Sequence, residues 1–227
     1  MKMTQSRPLL MPNGICERFE AVGILAVLII DDPRDAPMLT RVLFESGIQG
    51  VELTLRTDRA MDALQEVQKT APDMFVGVGT VLNADQLAEA QQNGAAFGVA
   101  PGYNREVVAA ASKAEFPFAP GIATPSEIEG AYSQGCTVMK YFHAGGMGGI
   151  DYLKGINAPY KHLNLRYIPL GGLGPHNLRD YLELEEVIAV GGSWIAPQEL
   201  IKTKDWSTIA ENAKTASQIF RDVRGGL

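Results

Sequence analysis

Thr137-Val138-Met139-Lys140-Tyr141-Phe142-His143 is a short run of β-branched, sulfur and aromatic side chains interrupted by one ammonium group. Its length and composition are those of a buried strand. An ammonium is expensive to bury beside such neighbours, and a lysine that sheds its proton there becomes a nucleophile toward carbonyl carbons. A lysine in an apolar run also fits an edge strand or a side chain that snorkels to water. The rest of the chain has to decide between these readings.

Similar runs recur along the chain, at 24–30, 50–56, 74–80, 97–101, 118–122, 166–171 and 186–191. Amphipathic stretches separate them. Pro37 to Glu45 has the helical pattern and is followed by Gly47 as a C-cap. Asn83 and Thr124 are expected N-caps, with Asp85 and Glu127 close to the positive helix ends, and Gly94 and Gly135 close the same two helices. Eight strand–helix units predict an α/β fold, a single (β/α)₈ (TIM) barrel. A doubly wound open sheet is the alternative. Residues 1–13 read as a polar lead-in and 14–227 as one barrel domain. Asn13 is expected to cap an extra N-terminal helix that runs through Glu20 and closes the bottom of the barrel.

The 227 residues are 46% hydrophobic and 20% charged, which suits a globular protein with one core. A net charge of −6 argues against nucleic acid or an anionic membrane as the main partner. Cys16 and Cys136 are the only cysteines, so neither a disulfide framework nor a zinc motif is expected. His143, His162 and His176 are not spaced as metal ligands, and no metal or cofactor is expected; His162 and His176 read as surface residues. The start of the chain lacks a signal-peptide core, and the stretch 23–30 is too short to span a bilayer. A soluble cytoplasmic protein is expected.

A barrel of this kind builds its active site at the C-terminal strand ends. In Val51-Glu52-Leu53-Thr54-Leu55-Arg56, alternation puts Glu52, Thr54 and Arg56 on one face, toward the barrel interior. Glu52 and Arg56 form either a structural ion pair or an acid/base with a carboxylate clamp. Gly77-Val78-Gly79-Thr80 ends the third run, either as a turn into a helix or as a place where backbone approaches a ligand. On the strand of Lys140, Val138 and Phe142 share its face. Tyr141 and His143 point the other way, although the loop can turn His143 inward. Gly171-Gly172 and Gly191-Gly192-Ser193 end the last two strands. Each pair alone reads as turn glycines, but both at these two strands match a phosphate cradle of backbone N–H groups.

These motifs, with Pro101-Gly102, Pro120-Gly121-Ile122, Lys140-Tyr141-Phe142 and Gly191-Gly192-Ser193-Trp194, resemble the class I 2-keto-3-deoxy-6-phosphogluconate (KDPG) aldolases, in order from about Gly23 to the C-terminus. The resemblance implies a metal-independent lyase, often a homotrimer, that cleaves a phosphorylated 2-keto-3-deoxy sugar acid into pyruvate and glyceraldehyde 3-phosphate. It implies Lys140 as the Schiff-base residue and Glu52 as proton shuttle. Arg56 and Thr80 would hold the pyruvyl carboxylate, Pro101 and Phe142 would form apolar walls, and Gly171, Gly172, Gly192 and Ser193 would receive the phosphate. The chain departs from the family pattern twice. His143 replaces a usual proline, and Leu170 stands where threonine is typical, or valine in relatives acting on the galactonate epimer. A 4-hydroxy-2-oxoglutarate (KHG) aldolase, a phosphate-binding isomerase or epimerase, and a non-catalytic sugar-phosphate binder are the competing readings.

Overall fold

Apolar side chains alternate or run continuously in the strand segments because both faces of a parallel sheet are covered. The computed structural model describes residues 10–225. Its strands are β1 (Ile24–Leu28), β2 (Gly50–Thr54), β3 (Phe75–Gly79), β4 (Gly98–Val99), β5 (Phe118–Ala119), β6 (Gly121–Ile122), β7 (Val138–Tyr141), β8 (Arg166–Pro169) and β9 (Val190–Gly192). All the ladders are parallel. Six strands form one sheet in the order β5-β4-β3-β2-β1-β9, and three form another in the order β6-β7-β8. Single parallel bridges, Tyr167↔Val187 and Leu170↔Gly191, carry β8 alongside the segment that enters β9.

The α/β fold with parallel strands is as expected. The strand count differs, because the run 118–122 is two strands separated by Pro120, which has no N–H to continue a ladder. The strands are also shorter than the apolar runs. β2 ends at Thr54, so Arg56 lies beyond the ladder.

The helices are α1 (Asn13–Val22), α2 (Ala36–Glu45), α3 (Ala60–Thr70), α4 (Ala84–Gln92), α5 (Arg105–Lys113), α6 (Pro125–Tyr132), α7 (Gly149–Asn157), α8 (Leu178–Leu182), α9 (Gln198–Lys202) and α10 (Trp206–Arg224). The Asn83 side chain accepts from the Gln86 N–H, and Thr124 forms a reciprocal capping box with Glu127. Gly94 and Gly135 adopt positive φ after α4 and α6. Asn13 does not cap α1. Pro12 holds that place and Asn13 is the first helical residue. Of the expected lead-in, residues 1–9 lie outside the described residues.

Two apolar clusters sit on opposite faces of the strands. The larger, with Leu39, Leu64, Leu87, Val108, Ile128 and Ile209, joins strands to helices. The smaller gathers Phe75, Phe97, Val138 and Ile168 on the other face, and Phe19 of α1 packs into it. The Phe19 ring lies 4.9 Å from Phe75 and 4.6 Å from Phe97. Apolar burial on both faces leaves the strand ends as the place for polar chemistry.

Candidate active site

Lys140 lies within β7 and is 4% exposed, and Glu52 lies within β2 and is 1% exposed. Neither residue could remain there as an isolated charge. Lys140 Nζ donates to Glu52 Oε1 at 2.9 Å, and this ion pair joins the two sheets. The other carboxylate oxygen, Oε2, is buried with no hydrogen-bond partner among the described residues. Lys140 Nζ also stands 5.1 Å from the centroid of the Phe142 ring, within cation–π range. The environment of the amine is therefore only partly apolar, since a carboxylate closes one side.

Local sequence makes room for the pair. A Cβ at Gly79 would lie 1.8 Å from Glu52 Oε1, so the β3 glycine is the space into which the carboxylate fits. Gly77, on the same strand, makes way for the Phe97 ring, which its Cβ would meet at 2.3 Å. Thr80 follows at φ 63°, a left-handed conformation seldom adopted by a β-branched residue. Such a conformation persists only where the surroundings impose it. Nothing in the residues Gly77 to Thr80 signals this strain.

The expected Glu52–Arg56 pair is absent, because Glu52 is committed to Lys140. Arg56 is exposed and lines a surface hollow with Thr57, Asp58, Gln86 and Glu89. Its guanidinium has no hydrogen bond or ion pair among the described residues. Thr54, expected beside Glu52 on the polar face, is buried and donates its hydroxyl to Leu28 O at 3.0 Å. Arg56 and Thr80 end neighbouring strands, joined where the Leu55 N–H donates to Gly79 O at 2.8 Å.

Pro101 reaches the lysine's neighbourhood through Gly121, which pairs with Lys140 in the β6–β7 register. A Cβ on Gly121 would meet the Pro101 carbonyl oxygen at 2.4 Å. The two glycine pairs are also adjacent, since Leu170 bridges Gly191. Gly171 and Gly172 have φ of 89° and 72°. Ser193 is exposed at the end of β9. Trp194, in the same motif, has its Nε1 buried without a hydrogen-bond partner among the described residues, 2.5 Å from where a Gly192 Cβ would stand. Leu170 is buried against Gly191 and offers no hydroxyl.

Tyr141 faces away from Lys140 and donates its hydroxyl to Gly149 O at 3.1 Å, which tethers the start of α7. Burial, with Tyr181 and Tyr152 nearby, pushes that hydroxyl up to about 12. His162 and His176 are exposed. Among the described residues no group of three or more His, Cys, Asp or Glu side chains gathers to hold a metal ion. Among those residues, too, no helix is long and apolar enough to cross a membrane.

Residues 15–212 match the family model described as KDPG and KHG aldolase. The 2-dehydro-3-deoxy-phosphogluconate aldolase of Haemophilus influenzae is 34% identical over 207 residues, covering 91% of this chain and 97% of that protein. The KHG/KDPG aldolase of Escherichia coli K12 is 36% identical over 193 residues, covering 85% and 90%. Among solved structures, the KDPG aldolase of Legionella pneumophila, with pyruvate captured at low pH as a covalent carbinolamine intermediate, superposes with a TM-score of 0.84. It is 37% identical, over 91% of this chain and 98% of that one. Fold, buried lysine and relatives define an enzyme of the carbon–carbon lyase class. Within that class, the chain belongs to the KDPG and KHG aldolase family.

Proposed function

We propose that this protein is a class I aldolase that cleaves 2-keto-3-deoxy-6-phosphogluconate, or its galactonate epimer, to pyruvate and glyceraldehyde 3-phosphate through a Schiff base on Lys140. The observation that carries the reading is the buried Lys140–Glu52 pair, 2.9 Å apart, which faces the interior from within β7 and β2. Proton exchange within the pair gives a neutral amine beside a carboxylic acid, the two partners that carbonyl addition needs.

The amine attacks the C2 carbonyl, and the hydroxyl of the resulting carbinolamine leaves as water with the proton of the Glu52 acid, which gives an iminium and a Glu52 carboxylate. Glu52, directly or through a water, takes the proton of the C4 hydroxyl as the C3–C4 bond breaks. The aldehyde departs, and the bonding electrons pass into an enamine. Glu52 returns the proton to C3, and hydrolysis releases pyruvate and the free amine. Glu52 Oε2, buried and without a hydrogen-bond partner among the described residues, is the oxygen available to accept the C4 hydroxyl proton. Arg56 and Thr80 hold the pyruvyl carboxylate, and Pro101 and Phe142 wall the keto acid. The backbone of Gly171, Gly172 and Gly192, with Ser193, takes the phosphate, whose binding energy serves the reaction from a distance.

The same reading takes residues 14–227 as one domain whose two sheets act as a single (β/α)₈ barrel with α1 across its base. It makes the enzyme cytoplasmic and cofactor-free, and a homotrimer, for which sedimentation equilibrium should give the mass of three chains rather than one. A second substrate, 4-hydroxy-2-oxoglutarate, is favoured by the KHG/KDPG name of the Escherichia coli relative. An isomerase or epimerase that used Glu52 alone would leave Lys140 chemically idle.

Pyruvate release from 2-keto-3-deoxy-6-phosphogluconate tests the proposal. The wild type is expected to turn over, and Lys140→Ala to lose activity by several orders of magnitude. Cleavage by Lys140→Ala near the wild-type rate would sink the mechanism.

A further inference from the structure

His143 follows the lysine strand, and none of the roles above uses its imidazole. The side chain is exposed, yet its ring is held in place. The Gly146 N–H donates to His143 Nδ1 at 3.0 Å. The ring lies against the Gly171–Gly172 backbone. A Cβ at Gly171 would stand 2.7 Å from its Cδ2 and 3.1 Å from its Nε2, and one at Gly172 would stand 3.0 Å from its Cε1. The loop that carries it is tied to the same segment, because the Ala144 and Gly145 N–H groups donate to Leu170 O and Gly171 O, each at 2.8 Å.

With Nδ1 engaged as an acceptor, the neutral imidazole carries its proton on Nε2. Nε2 has no hydrogen-bond partner among the described residues. A directed N–H donor thus stands at the glycine pair, at the far end of the site from the Lys140 amine in the proposed reading. Both glycines are needed for this arrangement, since any side chain there would displace the ring.

We infer that His143 is a specificity-determining residue whose Nε2–H donates to the terminal phosphate monoester of the substrate, beside the Gly171–Gly172 backbone. The inference rests on the phosphate-cradle reading under the proposed function and adds to it a side-chain donor. It accounts for a residue that departs from the proline of the family pattern by giving its ring a ligand.

Inorganic phosphate titrated into the wild-type protein and followed by imidazole ¹H–¹⁵N NMR tests the contact without turnover. The His143 Nε2 signal should shift saturably, with His162 and His176 unmoved. No response at His143 overturns the inference. Kinetics give the second arm. H143A should raise KM for the 6-phosphorylated keto acid by about tenfold, the scale of one hydrogen bond to a charged acceptor, with kcat changing far less. H143Q, which keeps an N–H at similar reach, should recover part of that loss. The effect on 4-hydroxy-2-oxoglutarate, which lacks the phosphate, should be several-fold smaller. Equal losses on both substrates, or tighter binding in H143A because the ring had blocked the cradle, overturn the assignment. A wild type that releases no pyruvate overturns the aldolase reading alone, and the phosphate titration then decides the role of His143.

Discussion

At the scale of single residues, the Lys140–Glu52 pair is the chemical centre and also a structural commitment. Both groups are almost fully withdrawn from water, so each depends on the other for its place. Removing one leaves the other as an uncompensated buried charge, at a cost of about 3–5 kcal/mol. Lys140→Met should therefore lower unfolding stability by roughly that amount. Lys140→Met with Glu52→Leu should recover most of it, because an apolar pair needs no counter-charge. Urea unfolding of the two variants checks this, and a single variant as stable as wild type would show that the pair is not ionic in the folded protein. The lysine was legible in the sequence because an ammonium in an apolar run is conspicuous. The family resemblance put Glu52 in the same site, but strand alternation paired it with the nearer Arg56 and not with a lysine 88 residues away. Which carboxylate meets which cation depends on how the two sheets face each other, and no local pattern carries that information.

At the scale of elements, the strands were visible as apolar runs, but their ends were not. A run continues as long as its side chains find apolar neighbours, whereas a ladder stops where adjacent backbones diverge or a donor is missing. Pro120 shows the second case by splitting one run into β5 and β6. Helix caps were better defined, because Asn83 and Thr124 declare themselves through side chains that bond their own backbone. Asn13 failed as a cap because the chain turns one residue earlier, at Pro12. The fit of β3 against β2 gives a sharper prediction. Gly79→Ala would place a methyl group 1.8 Å from the Glu52 carboxylate oxygen. The variant should fold with a changed Glu52 position and lose at least tenfold in kcat, about 1.4 kcal/mol in barrier. Unchanged kcat in a folded Gly79→Ala protein would mean that the position of Glu52 does not matter.

At the scale of the whole molecule, the weakness of the fold should lie at alkaline pH. Burial pushes the Cys136 thiol from 9.0 up to about 12, and it pushes the Tyr141 hydroxyl, near Tyr181 and Tyr152, from 10.0 to about 12. Burial also raises Tyr167, with Glu186 and Tyr160 adding to the effect, and Tyr181. These groups hold their protons more tightly folded than unfolded. Their contribution is complete below about pH 9 and is lost as the pH rises toward about 12. The urea midpoint should fall steadily across that range, and a flat profile would contradict the burial of these side chains.

Borohydride reduction in the presence of pyruvate, followed by intact-mass measurement and peptide mapping, reads out the Schiff base on Lys140 itself. One reduced pyruvyl adduct per chain is expected, on the peptide that carries Lys140, and none in Lys140→Met. Folded wild-type protein with no adduct, or with its adduct on another lysine, would contradict the Schiff-base mechanism at Lys140.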